Sequence, residues 1–279
     1  MKEKKRALVV EGGAMRSIYS IGILDTLIKS NYYDFDMCIG VSAGSTALAS
    51  YLAGMHKRSY RVTTEYSTRK NFISKRNFIK GGHYMDLDWL WNYCEIHDPL
   101  DIDLILKRKI NFFVGVTSAS TGNSEYLSFT KNNGADLLKA SCALPIAYKN
   151  PVKVEDFMYF DGGISDPIPI EEAIKLGANE IIVIRSRKKE FEMENKKNKV
   201  QKFMLRKYSK INESLSRRST RYNDSIKLIR KEDKNVKIIE INPPGEFRSS
   251  RFTTDKEILN LDYELGIKSG YELLDILKL

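Results

Sequence analysis

One serine in this chain has the sequence surroundings of an enzymatic nucleophile. An apolar run that begins at Phe35 predicts a buried strand, and residues 40–44 behind it, GVSAG, match the G-x-S-x-G pattern. In that pattern a serine on a tight strand-to-helix turn projects its hydroxyl out of the sheet, while the flanking glycines avoid collisions. Ser42 is therefore the candidate nucleophile, and the alternative is a strand-to-helix corner that does no chemistry.

Asp161 is the candidate base for this serine. It follows the apolar, strand-like run 157–160 and precedes Gly162 and Gly163. A partly desolvated carboxylate at a strand end could remove the serine proton if the two side chains lie within hydrogen-bond distance. Because Asp-Gly is also a favoured turn dipeptide, an ordinary turn is equally consistent with these residues.

The histidines do not fit a Ser-His-Asp triad. Enzymes with this serine motif place the acid and then the histidine after the serine in chain order. The three histidines are His56, His83 and His97, and none follows an acidic residue at a second glycine-rich turn late in the chain. We expect all three to be ordinary surface or partly buried side chains.

A glycine turn near the N-terminus has the features of an anion cradle. The strand-like run 7–10 precedes Gly12, Gly13 and Ala14, and apolar residues then recur at helical spacing from residue 18 to residue 28. Backbone amides at such a turn suit a nucleotide phosphate or the oxyanion of an acyl intermediate. A dinucleotide fingerprint needs glycines at the first, third and sixth of residues 12–17, and only the first is present, so nucleotide binding is disfavoured.

These three stretches together resemble the patatin-like phospholipase family of serine acyl hydrolases. The family pattern is a glycine-rich oxyanion turn with a basic residue, then G-x-S-x-G, then D-G-[AG], and this chain has all three in that order over roughly residues 6–184. The block 140–145, ahead of Asp161, also looks like the usual run into the acid. The resemblance implies a patatin-like fold and a dyad of Ser42 and Asp161. It further implies an oxyanion hole of the Gly12, Gly13 and Ala14 amides and an anion- or substrate-binding role for Arg16.

The implied activity is hydrolysis of lipid acyl esters through an acyl-enzyme, with no metal or other cofactor. Acyl transfer to another alcohol by the same dyad is the close alternative. A catalytically weak protein that binds membrane surfaces is the alternative from another class. Two departures bear on this choice, because Ala14 and Ser17 stand where the family has glycine. A positive φ at residue 14 would cost alanine on the order of 1 kcal/mol, whereas Ser17 is a good helix N-cap.

The pattern of elements predicts one α/β domain over residues 1–279, with a mainly parallel central sheet and helices on both faces. Strand-like runs that alternate with helical patterns cover residues 7–10, 36–40, 110–117, 158–160, 180–184 and 236–241. The aromatic-rich segment 56–108 is less regular, and we expect it to be either a lid or acyl-pocket wall, or a simple extension of the core.

Cysteine usage and hydropathy point to a cytoplasmic protein. Cys38, Cys94 and Cys142 are widely spaced in apolar contexts, which favours reduced thiols over disulfides or a metal site. No run reaches about 18 apolar residues, and the first apolar run ends at Val10, too short for a signal peptide. We expect a cytoplasmic location, either free or peripheral to the inner face of the membrane.

The positive charge is concentrated in one segment. Residues 185–231 contain 17 Lys or Arg and 5 acidic residues, whereas the whole chain has a net charge of +10. Apolar residues at helical spacing from 200 to 229 predict a single amphipathic helix with one apolar and one basic face. It could pack on the core or lie on anionic lipid headgroups; nucleic-acid binding is not expected, since no recognition motif accompanies the charge.

Two further expectations concern this basic segment. Arg185 and Arg187 directly follow the strand-like run 180–184, and ligands of open α/β sheets bind beyond strand carboxyl ends, so they could hold an anionic part of the substrate. The rest of the segment lies far from the dyad in the chain. We therefore expect charge reversals at Lys202, Arg217, Arg218 and their basic neighbours to spare hydrolysis of a soluble ester.

Overall fold

The centre of the protein is an eight-stranded sheet. The computed structural model describes residues 4–195 and 199–278. The strands are β1 (Arg6–Val10), β2 (Met37–Val41), β3 (Asn111–Ser118), β4 (Ser124–Ser128), β5 (Val152–Val154), β6 (Phe157–Asp161), β7 (Glu180–Ile184) and β8 (Lys237–Ile241). Their order is β5-β6-β3-β2-β1-β7-β8, and β4 pairs with β3 off this path. Strands β8, β7, β1, β2 and β3 are parallel, so the predicted mainly parallel sheet is confirmed.

Helices connect the strands. They are α1 (Ile18–Lys29), α2 (Ala43–Leu52), α3 (Arg58–Arg61), α4 (Lys75–Ile79), α5 (Leu87–His97), α6 (Ile102–Lys107), α7 (Gly134–Cys142), α8 (Ile170–Lys175), α9 (Lys199–Met204), α10 (Ser209–Arg230) and α11 (Lys256–Lys278). Short 3-10 turns cover Ala14–Ser17 and Gly162–Ile164, and a π-helical turn covers Val62–Tyr66.

The helices cover both faces of the sheet, as predicted. On β1, Leu8 and Val10 belong to an apolar cluster with residues of α1, α2, α7 and α11. Ala7 and Val9 point to the opposite cluster, which includes residues of α8 and α10. Burial on both faces explains why the parallel strands are almost continuously apolar in sequence.

Glycines bring α1 and α11 into close contact. A Cβ at Gly22 would lie 2.3 Å from Tyr263 O, and one at Gly266 would lie 2.1 Å from Tyr19 O. The two backbones can approach this closely only because these positions lack side chains. The packing fixes the C-terminal helix against the first helix of the fold.

Two strand ends meet on the same edge of β3. Strand β2 runs parallel to β3 and ends with Val41 beside Gly115, whereas β6 runs antiparallel and ends with Asp161 beside Val116. Strand β4 occupies the other edge over the same stretch, since it pairs with residues 113–117. The carboxyl ends of β2 and β6 therefore face each other, which brings the residue after Val41 next to Asp161.

The basic segment differs from its prediction. The expected single helix is divided into α9 and α10, and Val200 and Met204, expected on the apolar stripe, are exposed. The break has a specific cause: the Asn212 side-chain amide donates to the carbonyls of Lys202 and Leu205 and so terminates α9. Lys196 and Lys197, counted in this segment, lie outside the described residues.

Strands β4 and β5 were not expected from the sequence. Both are antiparallel additions beside β3 and β6. Within residues 4–195 and 199–278, none of the helices combines the length and apolar content needed to span a bilayer.

Candidate active site

Ser42 occupies a strained turn between β2 and α2. Its backbone angles are φ 54° and ψ −134°, a conformation that non-glycine residues rarely adopt and that costs on the order of 1–3 kcal/mol. Glycines make this turn sterically feasible: a Cβ at Gly40 would lie 2.6 Å from Ser45 Cα, and one at Gly44 would lie 2.5 Å from Val10 O. The turn leaves Ser42 lining a cavity.

Ser42 and Asp161 are in direct contact. Ser42 Oγ donates a hydrogen bond of 2.7 Å to Asp161 Oδ2, and the Gly163 amide donates one of 2.8 Å to Asp161 Oδ1. Asp161 is buried, and this burial raises the pKa of its carboxyl group above the usual 3.8, against the opposing effects of these hydrogen bonds and of nearby arginine charges. A carboxylate with a raised pKa is a stronger base than a solvated one.

Two hydroxyl side chains hold the backbones that carry the pair. Ser141 Oγ accepts a 2.8 Å hydrogen bond from the Ser42 amide and donates one of 2.7 Å to Gly115 O. Thr117 Oγ1 donates to the carbonyl of Asp161 at 2.8 Å. Sequence reasoning placed Ser141 within the block 140–145 but did not identify this bridging contact, which no spacing rule would reveal.

The N-terminal glycine turn lies directly against the serine. A Cβ at Gly12 would lie 2.6 Å from Val41 O and 2.7 Å from Ser42 Cβ, so only glycine fits there. Among the described residues, the amides of Gly12, Gly13 and Ala14 have no hydrogen-bond acceptor. Ala14 has φ 49°, so the condition stated above is met: a positive φ at this position costs alanine on the order of 1 kcal/mol.

The turn is fixed from its outer side by the strand end of β7. Ser186 Oγ donates to Gly12 O at 2.8 Å, and the Ser186 amide donates to Glu11 Oε2 at 2.8 Å.

Arg185 is fully buried and donates to Glu240 Oε1 and to Tyr222 Oη. The expectation that Arg185 contacts substrate is therefore wrong, because its guanidinium is engaged in the core; Arg187 does line the cavity.

The pair opens into a cavity of about 390 Å³. Much of its wall comes from the segment 56–108, which also packs on the core. The apolar lining from this segment comprises Val62, Phe72, Met85, Leu87, Leu90, Trp91, Leu100 and Ile102. Two of the cysteines, Cys94 and Cys142, also line the cavity, and all three cysteines are free thiols. A volume and lining of this kind suit an apolar ligand.

Arginines line the part of the cavity beside the pair. They are Arg16, Arg187, Arg218 and Arg251. Arg218 Nε donates to the carbonyl of Gly163, two residues from Asp161. The expectation that the basic segment is remote from the dyad is thus wrong for Arg218, because α10 packs beside the 3-10 turn that follows β6. Neither Arg218 nor Arg251 belongs to a motif, so sequence reasoning missed both.

The histidines lie elsewhere. His56 and His97 are exposed, and His83 is partly buried, stacked on Tyr148 and accepting a hydrogen bond from the Lys149 amide. In the part of the chain that the structure describes, no three His, Cys, Asp or Glu side chains are grouped as metal ligands would be.

Known proteins share this sequence pattern. Residues 8–174 match the patatin-like phospholipase family, and residues 208–278 match a domain of unknown function, DUF6363. The uncharacterized protein YjjU of Escherichia coli (strain K12) is 31% identical over 95% of this chain and 75% of its own length. The probable lipid hydrolase 463L of Invertebrate iridescent virus 6 is 27% identical over 61% of this chain and 63% of its own length. Lysophospholipase NTE1 of Candida albicans is 25% identical over 63% of this chain but only 13% of its own length.

Proposed function

The chain belongs to the patatin-like phospholipase family, and from this membership we propose that it hydrolyses lipid acyl esters with a Ser42–Asp161 dyad through an acyl-enzyme. The observation that carries the proposal is the 2.7 Å hydrogen bond from Ser42 Oγ to Asp161 Oδ2 beside a cavity with an apolar wall. The names of two relatives, a probable lipid hydrolase and a lysophospholipase, support lipid hydrolase activity.

The proposed reaction begins with ionised Asp161. It removes the Ser42 proton while Ser42 Oγ attacks the ester carbonyl carbon. The amides of Gly12, Gly13 and Ala14 stabilise the oxyanion that forms, and protonated Asp161 returns the proton to the departing alcohol. Water then attacks the acyl-enzyme while Asp161 takes a proton from it, and Asp161 passes this proton to Ser42 Oγ as the fatty acid leaves.

The segment 56–108 forms the wall of the proposed acyl pocket. Its side chains Phe72, Leu90 and Trp91 line the cavity on the apolar side. An acyl chain transferred from water to this wall gains about 0.8 kcal/mol for each buried methylene. The ester carbonyl then lies at Ser42, where the apolar wall meets the polar end of the cavity.

We also propose that α9 docks on an anionic membrane surface. Val200 and Phe203 are 68% and 67% exposed, although such side chains are normally buried in a soluble fold. Lys202 on α9, and Arg206, Lys207 and Lys210 shortly after it, are exposed as well, which gives the charge complementary to anionic lipid headgroups. Leu205 packs beside Phe160 and Ile164, which flank the end of β6, so docking would bring the membrane close to the dyad.

The test of the enzymatic proposal is release of fatty acid from a defined lysophospholipid by the purified protein, with Ser42→Ala as control. The proposal requires turnover by the wild type and its loss in a folded Ser42→Ala protein. Added glycerol as a second acceptor distinguishes hydrolysis from acyl transfer, because transfer yields acylglycerol in place of free fatty acid. Absence of any product from several lipid esters would refute the proposal.

A further inference from the structure

Three guanidinium groups in the cavity have no hydrogen-bond or ion-pair partner among the described residues, although that of Arg187 lies 4.1 Å from the centre of the Phe191 ring. The side chains of Arg16, Arg187 and Arg251 make no hydrogen bond or ion pair with any described residue, whereas Arg218 contacts Gly163 O. Arg16 is the most informative, because only 5% of it is exposed and its Nε atom is buried without a hydrogen-bond partner among the described residues. Burial of a guanidinium group without hydrogen-bond or ion-pair partners costs free energy unless a ligand supplies those partners.

The charges of the four arginines act on one another, and two of them, Arg218 and Arg251, also act on Asp161. Burial and the charges of Arg187 and Arg251 lower the pKa of Arg16 to about 9. Burial and the charges of Arg218 and Arg187 similarly lower the pKa of Arg251 to about 10. The carbonyl of Arg251 accepts a 3.5 Å hydrogen bond from the Met15 amide, which places this arginine beside the glycine turn. Positive charge is therefore concentrated beside the glycine turn and Asp161. If the apolar wall takes the acyl chain of an ester bound at Ser42, the alcohol part is the part that meets this charge.

The local charges leave a positive excess. Asp161 is in contact with Ser42, and Glu11, whose charge favours the ionised arginines, is held by the Ser186 amide and lies 3.9 Å from Arg185. Arg58 and Glu95 also line the cavity and add one charge of each sign. The arginines therefore still outnumber the carboxylates. One phosphodiester charge would leave this excess largely unbalanced, and a zwitterionic headgroup would add another cation. A phosphate monoester carries about 1.5 to 2 negative charges at pH 7 and three acceptor oxygens. It can therefore accept paired hydrogen bonds from several guanidinium groups at once.

We propose that Arg16, Arg187, Arg218 and Arg251 form a subsite for the phosphate monoester headgroup of an acyl ester. This inference rests on the proposed function, since it assigns the substrate class of the same cavity. Three of the four arginines lie outside the residues matched by the patatin-like phospholipase family, and Arg218 and Arg251 lie within residues 208–278. The C-terminal part of the chain thereby supplies headgroup selectivity to the dyad.

The test measures binding separately from catalysis. Ser42→Ala protein is titrated with three probes: a short-chain 1-acyl glycerol 3-phosphate below its micelle concentration, the matched 1-acyl glycerophosphocholine, and inorganic phosphate. The monoester lipid should bind at least about 10-fold more tightly than either other probe, because each charge-assisted hydrogen bond contributes roughly this factor or more. Equal binding of the two lipids would refute the headgroup assignment. Inorganic phosphate binding as tightly as the monoester lipid would instead identify a free-anion site.

Arginine variants identify the residues responsible. Added to Ser42→Ala, Arg251→Gln and Arg187→Gln should each weaken binding of the monoester lipid about 10- to 100-fold. The matched control is Arg248→Gln, an exposed arginine three residues from Arg251, and it should have no effect. Thermal unfolding verifies that each variant is folded, and unchanged binding in both folded variants would refute the subsite. If the protein with Ser42 hydrolyses no ester, the proposed function fails, but the binding results still decide this inference.

Discussion

Ser42 Oγ lies 2.7 Å from Asp161 Oδ2, although 119 residues separate the two positions in the chain. The contact follows from the sheet, because β2 and β6 reach the same edge of β3 from opposite directions and end beside Gly115 and Val116. Glycine at 162 is required at this junction, since a Cβ there would lie 2.2 Å from Gly115 O. The sheet itself thus aligns the proposed nucleophile and base.

Removal of the base should abolish most activity. Asp161→Asn cannot accept the serine proton, and loss of a general base typically lowers rates about 10²- to 10⁴-fold. His56→Ala, His83→Ala and His97→Ala should each leave kcat largely unchanged, because these residues lie away from the pair. The measurement is initial-rate hydrolysis of a soluble ester by folded variants. A folded histidine variant that is inactive, together with an active Asp161→Asn, would overturn the dyad.

Replacement of Ala14 by glycine should maintain or raise turnover. Ala14 has φ 49°, which is strained for alanine, and its methyl lies in the turn that carries the proposed oxyanion amides. Relief of this strain, on the order of 1 kcal/mol, offsets the entropy that glycine adds to the unfolded chain, so we expect little change in stability.

The control is Ala173→Gly in α8, where no such strain exists and stability should fall by about 1 kcal/mol. Steady-state kinetics and chemical denaturation provide both readouts. A clear loss of rate in Ala14→Gly would show that the turn of this chain is built around alanine.

Asp166 should make stability dependent on pH. Burial raises the pKa of this carboxyl group from 3.8 to about 6, despite its hydrogen bond from Tyr126. The folded state therefore holds the proton more tightly than the unfolded state, and the wild type loses stability as pH rises between these two values. Relative to Asp166→Asn, that loss should reach about 2 kcal/mol between pH 4 and pH 7. Denaturation curves for both proteins across this range measure the difference, and a constant difference would contradict the assignment.

Charge reversal at basic residues on α9 and shortly after it should separate membrane binding from ester hydrolysis. We expect that replacement of four basic residues by glutamate abolishes sedimentation with anionic vesicles at low salt, because the attraction depends on these charges. The four are Lys202, Arg206, Lys207 and Lys210. Hydrolysis of a soluble ester should persist, since Arg217 and Arg218 are left unchanged and only Arg218 contacts the dyad region.

A matched control changes the net charge equally at exposed lysines elsewhere on the surface. These are Lys29, Lys107, Lys109 and Lys256. The control protein should still bind the vesicles. Equal loss of binding in both proteins would mean that net charge, and not α9, attracts the membrane.

The fold and the pair could be predicted from the sequence because their signals are local. Parallel strands buried on both faces produce apolar runs, and the serine and aspartate each stand in a short motif beside glycines with steric requirements. The arginine cluster has no such signal. Arg187, Arg218 and Arg251 come from three separate elements, and only the packing of α10 and of the loop before α11 against the sheet brings them to one cavity.

The basic segment shows that the spacing of apolar residues does not predict where a helix ends. Apolar spacing from 200 to 229 fits one helix, but the spacing does not encode the Asn212 side chain that ends α9. The first turns of the expected stripe are consequently exposed, and Arg218, on the expected basic face, points to the dyad.

Covalent labelling of the serine tests the central claim most directly. The purified protein is incubated with a fluorophosphonate, digested, and analysed by peptide mass spectrometry alongside Ser42→Ala. The account predicts a single adduct on Ser42, formed in parallel with loss of ester hydrolysis and absent from the variant. An adduct on another residue that accounts for the loss of activity, or undiminished hydrolysis by fully labelled protein, would contradict it.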